Sequence, residues 1–433
     1  MSARTATPHG WSLAAVKNVC TFSRGVSWKK SQERRDPTRD STPVLRIPNV
    51  QDTLRLTDVI YIDGVTKDQQ EKARVREGCT LLVGSNGNPK RVGNCVYVAE
   101  PRNFLFASFL IGARPSSRQI DGEFLYRLLS SRPVQNEIWN SVQGSTGLRN
   151  IDLNALRSLR VLVPPLVEQR KIALVLSSMD EAIGKTRAVI DQLQVVKRSL
   201  VQELLTQGLP KRHTRFKPTE IGLVPEGWSV RPLGDYVEHG PDNGLYRPQS
   251  DYGDGTPIVR IDAFNNGDVL RRPVLRRVSI EPREVARFRV TPGNILINRV
   301  NSLSHLAKCA LADSFEEPTV YESNMMRLSL DDSRLMSQFG FLWLSSEHAK
   351  KHLRRKAKRA VAQASINQDD VMTVPTPCPP RDEQRRIVQI SAGVDERLES
   401  ENRELAAVRD LKSALMSVLL TGELRVTPDP EPE

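Results

Sequence analysis

Two stretches of the chain carry apolar residues at helical spacing. In the first, Ile172, Leu176, Met179, Ile183, Ile190, Leu193, Val196, Leu200 and Leu204 recur every three or four positions. In the second, Ile387, Ile390, Val394, Leu398, Leu405, Val408, Leu411, Leu415 and Leu419 do the same. Both open on a Pro-Pro pair with Glu and Gln just after it, as suits a first helical turn that needs no backbone donor. The apolar stripe is narrow, of coiled-coil width, and Thr186 and Glu401 interrupt it at equivalent places. Each stretch predicts a helix of about 40 residues, a rod of roughly 60 Å. A rod with one narrow seam needs a partner, and the pattern predicts that the two pair with each other, antiparallel. The alternative is that each is buried in its own domain.

Upstream of each rod the pattern changes to short β-rich runs bounded by Gly, Pro and Asn: PVLRI (43–47), CTLLVG (79–84), CVYVAE (95–100), PIVRI (257–261) and NILINRV (294–300). A helix is predicted after each set, at GEFLYRLLSS (122–131) and FGFLWLSSEHAKKHL (339–353). The expected class is α+β: two α/β modules separated by two long antiparallel helices that form a coiled-coil spacer.

The chain is duplicated. At an offset of 215 residues, Pro164, Pro165, Glu168, Gln169, Arg170 and Ile172 meet identical residues at Pro379, Pro380, Glu383, Gln384, Arg385 and Ile387, and 14 of the 58 positions from 151 to 208 are identical. PHGWSL (8–13) answers PEGWSV (225–230), and Asn86-Gly87 falls opposite Asn301-Ser302. A unit of this length is a duplicated domain with its helix, related by an internal pseudo-twofold, not a solenoid repeat. The boundaries read as modules at 1–150 and 225–365, helical segments at 151–210 and 366–426, a linker at 211–224 and a disordered tail at 427–433.

Composition narrows the class. The 433 residues hold 63 Lys+Arg against 51 Asp+Glu, a formal charge of +12. The longest apolar run, LFASFLIGA (105–113), is far short of the roughly 18 residues a membrane span requires. MSARTATPHGW lacks the apolar core of a secretory signal, so a cytoplasmic protein is expected. The five cysteines are scattered, which argues against a disulfide framework and a cysteine zinc site. Residues 1–150 carry 22 basic and 13 acidic side chains and residues 225–365 carry 21 and 17, whereas 366–433 is net −6. Modules that touch a polyanion and rods that act as spacers fit this distribution; a basic surface acquired by drift is the bland alternative.

Between Lys217 and Lys308 lies no lysine but eleven arginines: Arg231, Arg247, Arg260, Arg271, Arg272, Arg276, Arg277, Arg283, Arg287, Arg289 and Arg299. Arginine grips guanine O6 and N7 bidentately, although a GC-rich genome would also replace lysine codons. KKHLRRKAKR (350–359), with Lys351, Arg354, Arg355 and Lys358, crowds seven cations into ten residues. On a helix that crowding repels itself unless phosphates neutralise it. The loops SNGNPKR (85–91) and NRVNSLSHLAK (298–308) occupy equivalent positions after a strand. Ser85, Asn86, Asn88, Lys90 and Arg91, and Arg299, Asn301, Ser302, His305 and Lys308, are the donor–acceptor types that read base edges; ordinary turn chemistry is the other reading.

No catalytic constellation stands out. Gly184-Lys185-Thr186 mimics the end of a phosphate-binding loop, but Met179 stands where its first glycine belongs. His348 and His352 have zinc-like spacing without a Glu between them or a third ligand. There is neither GxGxxG nor the Asx-Pro-Pro-aromatic tetrapeptide of an amino-methyltransferase, and Pro241-Asp242 lacks a following nuclease-like Glu/Asp-x-Lys. The sequence reads as one that binds and does not react, with no catalytic or metal residues of its own.

With VPPLVEQRKI and CPPRDEQRRI opening two similar helical segments behind two divergent modules, the chain resembles the specificity subunit of type I restriction–modification systems. The likeness runs from the Pro-x-Gly-Trp of each module to Leu-Leu-Thr at each helix end, though AVAQASINQDD (360–370) departs from GSTGLRNID (144–152). It implies that each module is a target-recognition domain reading half of a split double-stranded DNA site. The helices would then be a ruler and a platform for two modification subunits, with restriction subunits joining later. The twelve matched residues at the two helix starts, Pro164 to Ile172 and Pro379 to Ile387, become spacer and subunit-docking positions. S-adenosylmethionine, ATP and magnesium belong, on this resemblance, to the partner subunits and not to this chain. Readers on one face of a duplex must sit about one turn, or roughly 34–36 Å, apart, a spacing such a rod can hold. A complex that only methylates, and a protein-binding scaffold dimerised by its rods, are the competing readings.

Overall fold

The computed structural model describes residues 7–100, 102–144, 147–271, 273–361 and 363–427. Arg272 and, apart from Thr427, the tail expected to be disordered lie outside them. The chain divides into two units. One runs through Arg187 and takes in the stretch from Arg403 onward; the other is Ala188–Asn402.

In the first unit Thr80–Val83 is the pivot. It lies inside a four-stranded antiparallel sheet, ordered Cys20–Arg24, Leu110–Pro115, Thr80–Val83, Cys95–Tyr97. All four of its residues are buried because both faces are covered. Leu82 packs with Phe124, Leu125 and Ile172 on the helical side. Leu81 and Val83, one residue out of phase, pack with Val44, Leu45 and Phe106 of a second four-stranded sheet. CTLLVG therefore reads as an unbroken apolar run and does not alternate.

The second unit repeats the plan. Ile295–Asn298 lies inside a five-stranded sheet, with Ile295 and Ile297 facing Trp343, Leu204 and Ile387 and with Leu296 facing Val259, Tyr321 and Met325. Most pairings in both units are antiparallel; parallel ones occur at Thr42–Leu45 with Leu105–Phe106, at Tyr252–Val259 with Val320–Tyr321 and at Asp268–Arg271 with Cys309–Ser314. The predicted helix over 339–353 is two, Ser337–Ser345 and Glu347–Lys356. Ser346 breaks it, because its hydroxyl accepts the Ala349 amide at 3.3 Å and starts a new N-terminus. The linker also differs from expectation: Phe216–Thr219 and Gly222–Pro225 form an antiparallel hairpin.

The long helices are α1, Leu166–Gln207, and α2, Arg381–Thr421. Within each unit, half of one runs antiparallel to half of the other. In the first, Asp180 of α1 bonds Lys412 of α2 at 2.5 Å, while Ile172 and Leu176 share a cluster with Leu419 and Leu420. In the second, Lys197 bonds Asp395 at 2.5 Å, while Leu204 and Leu205 share a cluster with Ile387. Asp180 and Asp395 are repeat partners, as are Lys197 and Lys412, so the same ion pair is built twice. Val196 and Leu411, equivalent positions predicted on the stripe, are exposed. From the buried Ile190 and Leu405 the pattern takes two successive steps of three residues, about 600° of rotation at 3.6 residues per turn, which leaves Val196 and Leu411 about 120° off the seam.

The EQ of each helix start explains its own duplication. Glu168 accepts the Trp11 indole N–H at 3.0 Å, and Glu383 accepts that of Trp228 at 3.1 Å. Gln169 bonds the Pro164 carbonyl and takes the Asp121 amide at 2.8 Å; Gln384 bonds the Pro379 carbonyl at 2.9 Å and takes the Met336 amide at 2.8 Å. Each helix thus clamps the Pro-x-Gly-Trp strand and the loop ahead of the module's helices. Each lock is closed by the chain leaving the other long helix. Arg425 forks onto Glu168 at 2.7 and 2.8 Å, and the Leu209 amide and His213 reach Glu383 at 3.0 and 2.7 Å.

Candidate nucleic-acid interface

The loop after each pivot strand is held on three sides. In the first unit Ser85–Asn86 pairs with Arg149–Asn150, placing Asn86 opposite Arg149. The carbonyl of Phe109 accepts the amides of Gly84 and Ser85, and Trp139, on the helix Arg132–Asn140, donates its indole N–H to the Val92 carbonyl at 2.9 Å. In the second unit Val300–Asn301 pairs with Ala364–Ser365, which in turn pairs with Lys358–Arg359. Asn324 plays the part of Phe109, its carbonyl accepting the amides of Arg299 and Val300, and Arg354 donates to the Ser304 carbonyl at 3.1 Å.

Within each loop the side chains hold one another. The Asn86 carboxamide oxygen accepts the Asn88 amide at 2.8 Å, and that of Asn88 accepts the Lys90 amide at 3.0 Å. Asn301 accepts the Ser302 amide at 2.8 Å, and the hydroxyls of Ser302 and Ser304 both sit 3.0 Å from His305 Nδ1. These turn bonds use the carboxamide oxygens, while no hydrogen bond within the chain uses the NH₂ groups of Asn86, Asn88 or Asn301 among the described residues. Ser85 is buried, whereas Asn88, Lys90, Ser302 and His305 are exposed.

The structure therefore gathers Asn86, Asn88 and Lys90 at one site and Asn301, Ser302, His305, Arg354 and Lys358 at its equivalent, the last two reaching the loop from the basic run. Lys351, Arg355 and Lys358 are exposed and have no carboxylate partner among the described residues. Four other candidates are used elsewhere. Arg247 is paired with Glu284 and lies 3.6 Å from Asp251. Arg299 reaches back to the Ser323 carbonyl at 3.2 Å, and Arg91 to that of Val50 at 3.4 Å. Lys308 is held by the carbonyls of Ile261 and Phe264 at 3.2 and 3.0 Å, over the Phe264 ring, and burial keeps its ammonium below the usual lysine range.

Of the arginines between Lys217 and Lys308, Arg231, Arg260, Arg271, Arg276 and Arg277 also face carboxylates of their own unit. At the helix starts, Glu168, Gln169, Ile172, Glu383, Gln384 and Ile387 are buried in the locks and seams; Pro165, Arg170, Pro380 and Arg385 are exposed. Gly184-Lys185-Thr186 lies mid-helix in α1, with Thr186 bonded to the Ala182 carbonyl and Lys185 to Glu181. His348 stacks on Trp343, and among the described residues no group of His, Cys, Asp or Glu is placed to hold a metal.

Arg149 was missed by sequence reasoning, and Arg359 was read only as the last of the seven cations in the basic run. The signal for them was available, since both stand at the hairpins just upstream of the spacers that the repeat aligns with the loops. AVAQASINQDD and GSTGLRNID, unlike in sequence, contribute Ala364–Ser365 and Arg149–Asn150 at the same place in the plan.

Comparison with known proteins agrees with this plan. Residues 8–195 and 225–409 each match the model of the type I restriction modification DNA specificity domain. The type I restriction enzyme EcoKI specificity subunit of Escherichia coli (strain K12) is 24% identical over 428 residues, covering 96% of this chain and 90% of that protein. The StySPI specificity subunit of Salmonella potsdam is 24% identical over 423 residues, with the same coverage. In fold, the chain is similar to one solved for the complex assembly of a type I R-M system, with a TM-score of 0.60 at 20% identity over 97% of this chain and 100% of that one. It is also similar to the type I restriction–modification S subunit from M. genitalium, with a TM-score of 0.52 at 14% identity over 99% of both chains. No helix among the described residues is long and apolar enough to cross a membrane. With both repeats matched and the relatives aligned almost end to end, the chain belongs to the type I restriction modification DNA specificity family.

Proposed function

We propose that the chain is the non-catalytic DNA-reading subunit of a cytoplasmic type I restriction–modification complex, each unit reading one half of a bipartite duplex site. The observation that carries the reading is the loop-and-hairpin site built once per repeat, where an asparagine on the loop lies beside a hairpin whose cations, Arg149 in the first unit and Lys358 and Arg359 in the second, have no carboxylate partner among the described residues. The asparagine is of the type that reads adenine, and the cations are of the type that hold phosphate. The lengths of α1 and α2 set the gap between the half-sites, and their outer faces carry two modification subunits, which restriction subunits join. On this reading the partners hold S-adenosylmethionine, ATP and magnesium and perform the chemistry, while this chain positions them.

Salt separates this from a protein-binding scaffold. If Lys90, Arg149, Lys351, Arg355, Lys358 and Arg359 each neutralise a phosphate, the logarithm of the DNA association constant falls against the logarithm of salt with a slope of about −5. A slope near zero, from fluorescence anisotropy on a long duplex, would contradict DNA as the ligand.

A further inference from the structure

The two sites share a plan but differ in what rims them. In the first unit Phe109, Trp139 and Leu148 surround the Asn86 loop and are 51%, 45% and 48% exposed. Phe109 is fixed by its backbone to Gly84 and Ser85, Trp139 by its indole to Val92, and Leu148 adjoins the hairpin residue Arg149 opposite Asn86. At the repeat offset of 215 residues these three become Asn324, Arg354 and Gln363. The equivalence holds in space for two of them: Asn324 receives the amides of Arg299 and Val300, and Arg354 bonds the loop carbonyl of Ser304. These three positions are thus apolar in one copy and polar in the other, where the exposed apolar side chains are instead Leu303 on the loop and Val361 at the hairpin turn.

Three large apolar side chains exposed around one polar, cationic loop are not what a surface free of partners displays. The loop's amides and the Lys90 and Arg149 cations select a duplex, and the apolar group a duplex offers in its major groove is the 5-methyl of thymine. We propose that Phe109, Trp139 and Leu148 form an apolar reading rim that packs on thymine methyls in the half-site of the first unit, while Asn324, Arg354 and Gln363 give the second unit a hydrogen-bonding rim. This rests on the DNA-reading function proposed above and adds the chemical class of base that each half selects.

The test removes the methyl and nothing else. Once genome methylation sequencing has given the recognised site, the assembled complex is titrated with duplexes in which thymines of one half or the other are replaced by deoxyuridine. Wild-type affinity falls about fourfold for each contacted methyl lost, in one half-site only. Phe109→Ala loses a similar factor on the thymine duplex and nothing further on the deoxyuridine duplex, and Phe109→Leu recovers most of it. Equal wild-type binding of thymine and deoxyuridine duplexes overturns the proposal without any variant having to fold. So does a Phe109→Ala loss that persists undiminished on deoxyuridine DNA, or a recognised site in which neither half contains thymine. A complex that prefers its own site over unrelated DNA but ignores the methyls refutes the rim alone; one that shows no such preference refutes the DNA-reading function with it.

Discussion

Glu168 and Glu383 show how much of a family signature can be architecture. Each is a buried carboxylate that takes an indole N–H from the strand entering its module and is closed by the chain leaving the other long helix, through the Arg425 guanidinium at Glu168 and through the Leu209 amide and the His213 ring at Glu383. Gly208 and Gly422 cap the two helices at φ of +76°, where a side chain is strained. A Cβ on Gly208 would stand 2.7 Å from Glu383, and one on Gly422 would stand 2.5 Å from Pro8 beside Trp11. Glu168→Ala leaves a buried indole donor unsatisfied, so it should destabilise the first unit by about 2–3 kcal/mol and leave the second unit's transition in place. Urea-dependent amide hydrogen exchange, read separately for the residues of each unit, checks this. The repeated Glu-Gln pair was legible because it recurs at a fixed offset, but its inward role was not. Lys308 illustrates the same limit: its place in the loop was legible, whereas the carbonyls that absorb its ammonium come from residues about 45 positions away.

At the scale of elements, α1 and α2 were the most readable parts, since a period of 3.6 sustained over 40 residues has few other meanings. Their ion pairs were invisible, because the sequence does not state which residues meet across an antiparallel seam. Burial pushes the Asp180 carboxyl up, but hydrogen bonds from Lys412 and Arg127 outweigh it and hold the group below the usual aspartate range. A carboxylate depressed in the folded state stabilises it fully above its unfolded value and loses that contribution as pH falls through the folded one. Between about pH 5 and pH 2 the stability of wild type should therefore fall towards that of Asp180→Asn, with the two well apart at pH 7. Parallel urea titrations that keep a constant difference down to acid pH would contradict it. The break at Ser346 was missed because an N-cap inside an apolar run looks like one more polar position until its hydroxyl is seen to take the Ala349 amide.

At the scale of the molecule, the duplication makes each unit a closed assembly of non-adjacent chain: the first needs the residues after Arg403, and the second needs both helix halves between Ala188 and Asn402. The order of modules and helices and their antiparallel pairing were readable from the repeat, but the points at which each helix divides between the units were not, since the sequence does not mark which residues meet across the seam. If the helices set the gap, removing seven paired residues from each, about 10 Å of rise, should shorten the gap in the modified site and leave both half-sites as they were. A changed half-site would contradict a ruler. The central claim, that each unit reads its own half, is tested most directly by sequencing the modified bases in cells carrying Asn86→Ala or Asn301→Ala. Each variant should relax one half-site, a different half for each, with the gap unchanged in both. Relaxation of the same half by both variants, or an even loss of modification with no change in sequence, would contradict it.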